Sequence, residues 1–341
     1  MTANQVRGVL NAARARVEET VARLLARGPE DLAPLLRYHL GYGPGPGGIP
    51  PGSGGKRVRA ALCLLSCEAV GGEAERAVPL AAALELVHGF TLLHDDIADG
   101  DETRRGQPTV WRLWGVGQAL TAGDAMFALA NLALFEPAPG LSPEVAHGLL
   151  RGLNEAIFAV CEGQSRDLAF EAKSDVGVAD YLEMIRLKTA ALISAATELG
   201  ARAGGGTAPQ VEALSQFGLQ LGLAFQIRDD VLGLWGEAGE VGKPVGSDLQ
   251  HNKRSLPVLL ALSPDSPLAT ELSARLPAGL NSEEAAEVAG RMERAGIRRQ
   301  CEEMARERLE AARRALHSCP LREDAAASLE ALARYVVERS Q

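Results

Sequence analysis

Residues 88–109, an apolar run that ends in a group of carboxylates and two arginines, read His88-Gly-Phe90-Thr91-Leu-Leu-His94-Asp95-Asp96-Ile-Ala-Asp99-Gly-Asp101-Glu102-Thr-Arg104-Arg105-Gly-Gln-Pro-Thr109. Asp95 and Asp99 are four residues apart, so on a helix their side chains rise from the same face. Like charges at this spacing repel each other, and either a divalent cation or the two arginines would offset the repulsion. The stretch therefore predicts a site for an anionic ligand held partly through metal, of which Mg²⁺ bridging to phosphates is the common case.

A solvated loop is the plainer interpretation of one charge run, but a second cluster argues against it. It reads Phe225-Gln226-Ile227-Arg228-Asp229-Asp230-Val231-Leu232-Gly233. It again places an aspartate pair at the end of an apolar, helix-compatible segment, and Lys243, Asp248 and Lys253 follow it. Two clusters with the same layout indicate a shared binding role.

Composition favours helices and argues against some classes of partner. Of the 341 residues 46% are hydrophobic and only 4% aromatic, with alanine and leucine abundant and β-branched residues sparse, which favours helix over sheet. The 35 basic and 44 acidic residues give a net charge of -9, which argues against a general nucleic-acid or anionic-membrane binder. An anionic substrate would then be met by local basic groups and metal.

Cysteine usage and the apolar segments indicate a reduced, cytoplasmic protein. The five cysteines are an odd number without zinc-like spacing, and Cys63 with Cys67 on one helical face suits buried small hydrophobes. Residues 1–27 alternate arginine and glutamate with apolar residues, unlike a signal peptide. The apolar run 116–135 carries Asp124 near its middle, so we expect no transmembrane segment.

Hydrophobic periodicity and breaker residues predict a succession of helices and no strand. The predicted helices span about 3–27, 30–40, 57–71, 74–99, 117–136, 143–172, 180–200, 208–232 and 255–263, with two amphipathic outer helices beyond 282. We predict an all-α fold in one domain over 1–341. Its parts are N-terminal helices (1–40), a loop in which Gly and Pro fill 12 of 15 positions (41–55), a catalytic core (56–264) and C-terminal helices (265–341).

Some polar residues on these helices admit two interpretations. Glycines before Lys56 and Arg59 at a helix N-terminus would suit a phosphate, although the spacing is not that of a P-loop. His88 lies two turns before Asp95 on the same face, and it is either a packed core residue or a ligand. Gln164 and Asp167 interrupt an apolar helical face, for which a solvent-exposed face is the simpler interpretation.

The ordered set of motifs resembles the trans-isoprenyl diphosphate synthase (polyprenyl synthetase) family, over about residues 50–260. In chain order the motifs are Gly54-Gly55-Lys56-Arg57-Val58-Arg59, His88, Asp95-Asp96-Ile97-Ala98-Asp99 with Arg104-Arg105-Gly106, Gly163-Gln164 with Asp167, Lys188-Thr189, Phe225-Gln226-Ile227-Arg228-Asp229-Asp230, and Gly242-Lys243 with Asp248 and Lys253. Each motif is modestly specific, and the ordered set is highly so. The resemblance implies a single-domain bundle of long helices around a deep central cavity, usually as a homodimer, with the two aspartate motifs facing each other across its mouth.

The resemblance also implies a role for each motif in joining isopentenyl diphosphate to an allylic diphosphate (dimethylallyl, geranyl or farnesyl). The residues that would hold Mg²⁺, three ions per active site, are Asp95, Asp99, Asp229 and Asp248. Those that would bind the allylic diphosphate are Arg104, Lys188, Thr189, Gln226, Lys243 and Lys253. Those that would bind isopentenyl diphosphate are Lys56, Arg59, His88 and Arg105. The expected catalytic residues are Asp95, Asp96, Asp99, Arg104, Lys188, Asp229 and Asp230.

The chemistry fits these residues. Heterolysis of the allylic C–O bond needs charge stabilisation on the leaving diphosphate, which metal and cationic side chains supply. The isopentenyl double bond then attacks the carbocation, and in the family the released diphosphate takes the proton that is lost.

The chain departs from the family pattern at Gly233, where the second motif ordinarily ends in a third aspartate. Asp229, Asp230 and Asp248 remain, so metal binding is expected to survive. Product length is expected to depend on bulk just before the first motif, where Phe90 is large and Thr91 is small. A single aromatic there resembles short-chain enzymes of the geranylgeranyl type, so a C20 product is favoured and a C15 product is the next alternative.

Three other functions fit parts of the sequence but not all of it. A terpene cyclase on the same fold would ionise a prenyl diphosphate without condensation, but it would not need the residues that bind isopentenyl diphosphate. A non-enzymatic regulatory subunit predicts a damaged first motif, and here that motif is whole. A Ca²⁺-binding helical module would need the EF-hand ligand pattern, which the sequence lacks.

Overall fold

The chain folds as a succession of helices, and the all-α prediction is confirmed. The structure, a computed structural model, describes residues 1–42, 55–136, 138, 140–171, 173, 175–236, 247–250, 253–276 and 279–338. The helices are α1 Ala3–Leu25, α2 Ala33–Leu40, α3 Val58–Ala69, α4 Val78–Ala98, α5 Val110–Trp114, α6 Val116–Ala133, α7 Pro143–Glu171, α8 Val178–Ile185, α9 Ala191–Ala203, α10 Ala208–Trp235, α11 Ser247–Gln250, α12 Leu256–Ala261, α13 Ala269–Arg275, α14 Ser282–Arg294, α15 Ile297–Leu316 and α16 Glu323–Val337. A 3₁₀ turn at Ala74–Ala77 precedes α4, and a π-helical segment at Arg186–Ala190 joins α8 to α9.

Two predictions about these elements were wrong. The described chain does contain strands, β1 (Thr103–Arg104) and β2 (Gln107–Pro108), which pair antiparallel; strands of two residues are too short to leave a periodic signal. The tail beyond 282 forms three helices instead of two. α14 ends because Gly296 takes a left-handed conformation (φ 83°), a common way for a helix to stop.

The described residues divide into two compact units, each built from three chain segments. The first unit comprises Met1–Ile157, Ala195–Ser215 and Leu316–Leu332, and the second comprises Phe158–Ser194, Gln216–Ala315 and Ala333–Gln341. Several helices, including α7 and α10, contribute residues to both units, so the division does not fall in a linker. The organisation of residues 1–341 as one domain stays a prediction.

Helix α4 is the centre of the first unit. It is rich in apolar residues, most of them buried, and it packs against α1, α3 and α6. The α4–α6 contact is close because both helices carry glycine there: a Cβ on Gly89 would lie 2.8 Å from Sδ of Met126, and one on Gly123 would lie 2.2 Å from Nε2 of His94. Since the first aspartate cluster ends α4, this packing fixes where its carboxylates emerge.

The second unit has its own core around α10. Ile227, Val231 and Leu234 of α10 pack in one cluster with Tyr181 and Met184 of α8, and with side chains from α12 to α15. The second aspartate cluster lies within this stretch of α10, so it too is carried by a helix with a buried face.

Among the described residues, one helical stretch, Ala74–Ala98, is long and apolar enough to cross a membrane by composition. Of its most apolar window, 72% is buried inside the protein. This burial is what the central helix of the first unit requires, and it accounts for the apolar composition.

Candidate active site

The first aspartate cluster occupies the last turn of α4, and its members differ in burial. Asp95 and Asp99 are half-buried, whereas Asp96 is 1% exposed. Asp99 caps the helix, with its backbone N–H donating to the carbonyl of Asp95. Asp95 and Asp99, which share a helical face, are thus partly accessible to solvent, whereas the Asp96 side chain is turned into the protein.

Asp96 holds an arginine of the following hairpin. Arg104 donates from Nε to Oδ1 of Asp96 at 2.6 Å, and its Nη2 lies 2.5 Å from the same oxygen. Burial raises the pKa of Asp96, although the hydrogen bond from Arg104 acts in the opposite direction. The contact indicates that Asp96 orients Arg104, so its expected part in catalysis is indirect.

The hairpin presents the second arginine in a strained conformation. Arg105 and Gly106, the two residues between β1 and β2, both have positive φ (53° and 74°), as a type I′ hairpin turn requires. A bulky residue in the left-handed region is uncommon, and such strain tends to occur at functional sites. The guanidinium of Arg105 lies against Gly55: a Cβ on Gly55 would be 2.8 Å from Nη2 of Arg105. Gly55 also has a φ of 88°. Glycine therefore suits this position both because there is no room for a Cβ and because the backbone is left-handed.

Two histidines lie among the arginines of the first unit. Burial lowers the pKa of His88 well below 6.5, and the positive charges that lower it further are those of Arg59, Arg105, Arg104 and Arg57. Burial likewise lowers the pKa of His39 to about 3, with further lowering from Arg104, Arg105 and Arg57. Both imidazoles are therefore neutral at pH 7 within a cluster of positive charge. Such a cluster suits an anionic group, because His can donate or accept a hydrogen bond without adding charge.

The sequence prediction included His88 but not His39. The one available signal was its position, in the last turn of α2 directly before the Gly/Pro-rich stretch that leads to Lys56. Lys56 itself is exposed just before α3, and Arg59 is half-buried in the first turn of that helix.

The candidate chain-length residues lie one helical turn before the aspartates. The Phe90 ring makes edge-to-face contacts with His94 (centroids 5.9 Å apart) and with Phe127 of α6 (5.8 Å). Thr91 is half-buried, and its hydroxyl donates to the carbonyl of His88 at 2.9 Å. Phe90 is thus fixed by aromatic neighbours on two helices.

In the second cluster, Asp230 is the buried member and Asp229 is half-buried. Asp230 accepts hydrogen bonds from Oη of Tyr181 (2.6 Å), the backbone N of Leu256 (2.9 Å) and Nε2 of Gln226 (3.0 Å). Burial, and to a smaller extent the negative charge of Asp248, raise the pKa of Asp230 to about 7. The three hydrogen bonds act in the opposite direction. Like Asp96, Asp230 is placed to support its neighbours, and Tyr181 is a supporting residue that sequence patterns did not indicate.

The π-helical segment Arg186–Ala190 brings Lys188 and Thr189 to this cluster. Nζ of Lys188 lies 2.5 Å from Oδ2 of Asp167, and Oγ1 of Thr189 donates to Oε1 of Gln226 at 2.7 Å. A π bulge inside a helical stretch often marks a functional site. The Lys188 contact also changes the interpretation of Asp167, which pairs with a lysine instead of forming a purely solvated face.

Two glycines allow this segment to approach its neighbours. A Cβ on Gly163 of α7 would lie 2.2 Å from the backbone N of Lys188, and one on Gly222 of α10 would lie 2.5 Å from Cα of Ala190. Distances this short exclude any side chain without a backbone shift. The glycine of the Gly163-Gln164 motif therefore has a packing role.

Asp248 lies close to the position where the third aspartate of the motif is missing. A Cβ on Gly233 would be 3.8 Å from Oδ2 of Asp248, within ordinary contact. The backbone N–H of Lys253 donates to the carbonyl of Asp248 at 2.8 Å, so these two predicted residues are joined. Lys243 and positions 43–54 of the predicted loop lie outside the described residues.

The predicted site residues that the structure describes thus form two groups, one in each compact unit. The first-cluster site comprises Lys56, Arg59, His88, Asp95, Asp96, Asp99, Arg104 and Arg105, and the second-cluster site comprises Asp167, Lys188, Thr189, Gln226, Asp229, Asp230, Asp248 and Lys253. Over the described ranges, no three His, Cys, Asp or Glu side chains converge into a ready-made metal site.

Comparison with known proteins places the chain in a family. Residues 51–290 match the sequence profile described as polyprenyl synthetase, so the chain belongs to the polyprenyl synthetase family. The chain is 42% identical over 313 residues to a geranylgeranyl diphosphate synthase of Mycobacterium tuberculosis, covering 91% of this chain and 88% of that protein. It is 38% identical over 336 residues to a (2E,6E)-farnesyl diphosphate synthase of Mycobacterium bovis, covering 97% of this chain and 92% of that protein.

Solved structures agree with this assignment. A polyprenyl synthetase from Streptomyces coelicolor A3(2) superposes with a TM-score of 0.89 at 37% identity, covering 97% of this chain and 99% of that one. A polyprenyl synthase from Caulobacter crescentus CB15, complexed with calcium and isoprenyl diphosphate, superposes with a TM-score of 0.86 at 30% identity, covering 100% of this chain and 98% of that one. The protein is a prenyltransferase of this family, and its relatives are prenyl diphosphate synthases.

The neutral state of His39 makes the stability of the protein depend on pH. In the unfolded chain His39 has its ordinary pKa of 6.5, against about 3 in the folded protein. The stability that this difference confers is complete above about pH 6.5 and is lost as the pH falls towards about 3, because only the unfolded chain then takes up the proton. We expect His39→Gln, which keeps a neutral hydrogen-bonding side chain, to lose less stability on acidification than the wild type.

The measurement is urea denaturation at a series of pH values from about 7 to about 4. His147→Gln, at an exposed histidine of α7, is the matched control and should follow the wild type. Identical pH dependence in His39→Gln and the wild type would contradict the assignment of a neutral His39.

Proposed function

We propose that this protein is a short-chain prenyl diphosphate synthase that condenses isopentenyl diphosphate with an allylic diphosphate in a Mg²⁺-dependent reaction. The observation that carries the proposal is the cluster of positive charge around neutral His88 in the same unit as Asp95 and Asp99. One anionic group can be held there directly, while the aspartates hold another through metal. A condensation of two diphosphate substrates needs both of these binding modes.

Mg²⁺ would be held by Asp95, Asp99, Asp229 and Asp248, and the family resemblance implies three ions. The donor set suits this metal, because all four are half-buried carboxylates and Mg²⁺ takes oxygen ligands, whereas the neighbouring Asp96 and Asp230 are buried. A relative has been described in complex with calcium and isoprenyl diphosphate, which supports the use of a divalent cation. When bound, the metal would supply positive charge to the leaving diphosphate.

The protein's own cations would complete the neutralisation of that diphosphate. Arg104 is oriented by Asp96, and Lys188 is positioned by Asp167 on the π-helical segment. Thr189 and Gln226 are joined by a hydrogen bond and offer further polar contacts. Lys253 and Lys243 are assigned to the same diphosphate through the family resemblance. Cations held in place before the reaction lower the barrier to C–O cleavage, since they need not reorganise as charge develops.

Isopentenyl diphosphate would be bound by Lys56, Arg59, Arg105 and His88. With its diphosphate so held, its double bond would attack the allylic carbocation and form a new C–C bond. The proton then lost would pass to the diphosphate released from the allylic substrate. The side chains of the first-cluster site would therefore bind and orient, and none of them is assigned as the base.

A terpene cyclase on the same fold is the alternative. It would share the ionisation step but would not use a second diphosphate site. The arginine and histidine cluster supports the synthase over the cyclase, because a single-substrate enzyme has no need of it.

For product length we propose C20 first and C15 next. Phe90 would close the hydrocarbon path, and its support is the aromatic contact with Phe127 and His94, which holds the ring in place. The names of the relatives, a geranylgeranyl and a farnesyl diphosphate synthase, span the same two lengths.

We propose that the protein acts in the cytoplasm as a homodimer, with no nucleic-acid partner. The cytoplasmic assignment is supported by its five free cysteines. The dimer is supported by an apolar face of α6: Val116, Leu120 and Phe127 lie along one side of the helix and are 47%, 43% and 38% exposed. An exposed row of large apolar side chains at helical spacing is typical of a protein interface.

The condensation reaction can be tested directly with the purified protein. With Mg²⁺, labelled isopentenyl diphosphate and each allylic diphosphate in turn, we expect a chain-extended product, sized by chromatography after dephosphorylation. Asp95→Ala should lower the rate by about 100-fold or more, because it removes charge stabilisation of the leaving group, and a chelator should abolish it reversibly.

Asp31→Ala, at an exposed aspartate between α1 and α2, is the matched control and should retain activity. If allylic diphosphate alone released diphosphate or a cyclic hydrocarbon, with no isopentenyl incorporation, the cyclase would replace the synthase.

The proposed product length can be tested at Phe90. Phe90→Ala should shift the product from C20 towards longer chains, because it removes the ring that would end the hydrocarbon path. Phe135→Ala, which truncates an exposed phenylalanine beyond α6, is the control and should not change the product. If Phe90→Ala made a product of unchanged length, Phe90 would not be the residue that closes the hydrocarbon path.

The proposed dimer interface can be tested on α6. Leu120→Arg should halve the molar mass measured by light scattering, because a charge placed in an apolar interface is costly to bury. Val145→Arg, at a similarly exposed site on α7, should leave the mass unchanged. A monomeric wild type, or a Leu120→Arg variant that remains dimeric, would remove α6 as the interface.

A further inference from the structure

Arg57 lies between two residues assigned to isopentenyl diphosphate, yet its own side chain is turned into the protein. Lys56 is exposed and Arg59 is half-buried, whereas Arg57 is 6% exposed. Three neighbouring cationic residues therefore differ in what they can contact. Arg57 cannot act as a surface contact of the kind that Lys56 offers.

The Arg57 guanidinium is held by partners on three sides. Nη1 donates to Oε2 of Glu85 at 3.4 Å, Nη2 donates to the carbonyl of Leu40 at 3.0 Å, and Cζ lies 5.3 Å from the ring centre of Tyr42. Glu85 is itself 4% exposed. We call Leu40, Tyr42, Arg57 and Glu85 the Arg57 anchor. A buried charge persists only when it is paired, so each ion of the anchor requires the other.

The backbone at Arg57 is strained, and the anchor accounts for its persistence. Its φ is 51°, in the left-handed region that a bulky residue rarely adopts unless the surrounding structure imposes it. Within the described chain only Arg57 and Arg105 are non-glycine residues with positive φ, and both belong to the arginine cluster around His88.

Glu85 also determines where α3 begins. Arg57 is the N-cap residue of α3, and its side chain makes no capping hydrogen bond. Oε1 of Glu85 takes that role instead, accepting from the backbone N of Ala60 at 3.0 Å. One buried carboxylate of α4 therefore caps α3 with one oxygen and neutralises Arg57 with the other.

On the basis of the function proposed above, we propose that Arg57 and Glu85 are positioning residues for isopentenyl diphosphate. Lys56 directly precedes the strained residue, and Arg59 is the second residue of α3. Their positions therefore depend on the left-handed turn and on the start of the helix, and the anchor sets both. Arg57 acts through Lys56 and Arg59 without contacting substrate.

Two substitutions separate the parts of the anchor. Arg57→Asn removes the guanidinium but tolerates the left-handed backbone. Glu85→Gln keeps an oxygen to cap α3 and removes the negative charge. Each should raise the KM for isopentenyl diphosphate by about tenfold or more, since misplaced binding groups lose much of their effect. Each should leave the KM for the allylic diphosphate within about twofold of the wild type.

Glu136→Gln is the matched control. Glu136 is also a buried carboxylate of the first unit, with Nη2 of Arg27 at 2.6 Å and Nε of Arg23 at 3.7 Å, but it does not belong to the anchor. It should leave both KM values unchanged. Because Arg57 and Glu85 act through one ion pair, the double variant should raise the isopentenyl KM no further than the worse single variant does.

The outcomes distinguish positioning from general stability. Equal changes in both KM values, a fall in kcat alone, or an isopentenyl KM that Glu136→Gln raises as much, would overturn the proposal. If Arg57→Asn fails to fold, Arg57→Lys and Glu85→Gln provide the same test. Unchanged KM values for isopentenyl diphosphate in both variants would then overturn the proposal.

A wild-type protein that makes no extended product would refute the proposed function and not the anchor. Calorimetric titration with inorganic pyrophosphate then decides. Weaker binding to Arg57→Asn and Glu85→Gln than to the wild type and Glu136→Gln would support the anchor, and equal binding would overturn it.

Discussion

In each aspartate pair one carboxylate is buried and held by donors of the protein, and both candidate sites depend on that arrangement. Asp96 holds Arg104, while Asp230 accepts from Tyr181, Gln226 and the backbone of Leu256. A buried carboxylate without donors would be strongly destabilising, so these contacts are required. Adjacent residues of a helix point about 100° apart, so fixing the inner carboxylate also fixes the direction of its neighbour. Each pair therefore combines one buried aspartate that is held by the protein with one half-buried aspartate, which we propose as a metal ligand.

Close approach at glycines is the second constraint, and it decides where Lys188 and Thr189 lie. Gly163 and Gly222 allow α7 and α10 to contact the backbone of the π-helical segment directly. With that segment pressed between two backbones, Lys188 reaches Asp167 and Thr189 reaches Gln226. The π-helical turn thus connects the packing of the second unit with the direction of two side chains that we propose to bind substrate.

The arginine cluster of the first unit concentrates positive charge in the absence of substrate. Two features make this tolerable: the half-buried His39 and His88 stay neutral, and Arg57 and Arg104 each have a carboxylate partner. The strained backbones of Arg57 and Arg105 also occur here, where an anionic ligand would stabilise the assembled cations. The fold therefore offsets the repulsion between these positive charges before any ligand binds.

Much of this protein could be predicted from its sequence. The all-α class followed from periodicity and from the scarcity of β-branched and aromatic residues. Most helix positions agree with the structure within a few residues, because breakers such as Gly71-Gly72 and Gly204-Gly205-Gly206 are local signals. The family followed from the order of short motifs, whose chemistry is legible without coordinates.

Only the tertiary structure decided which members of those motifs face inward. Spacing cannot distinguish Asp95 from Asp96, or Lys56 from Arg57, because the difference lies in which partner a distant segment provides. The hairpin at Arg105, the π-helical segment and the parts played by His39, Glu85 and Tyr181 were missed for the same reason. Residue type and local spacing determine what a side chain can do, whereas burial and long-range hydrogen bonds determine whether it supports the site or contacts the ligand.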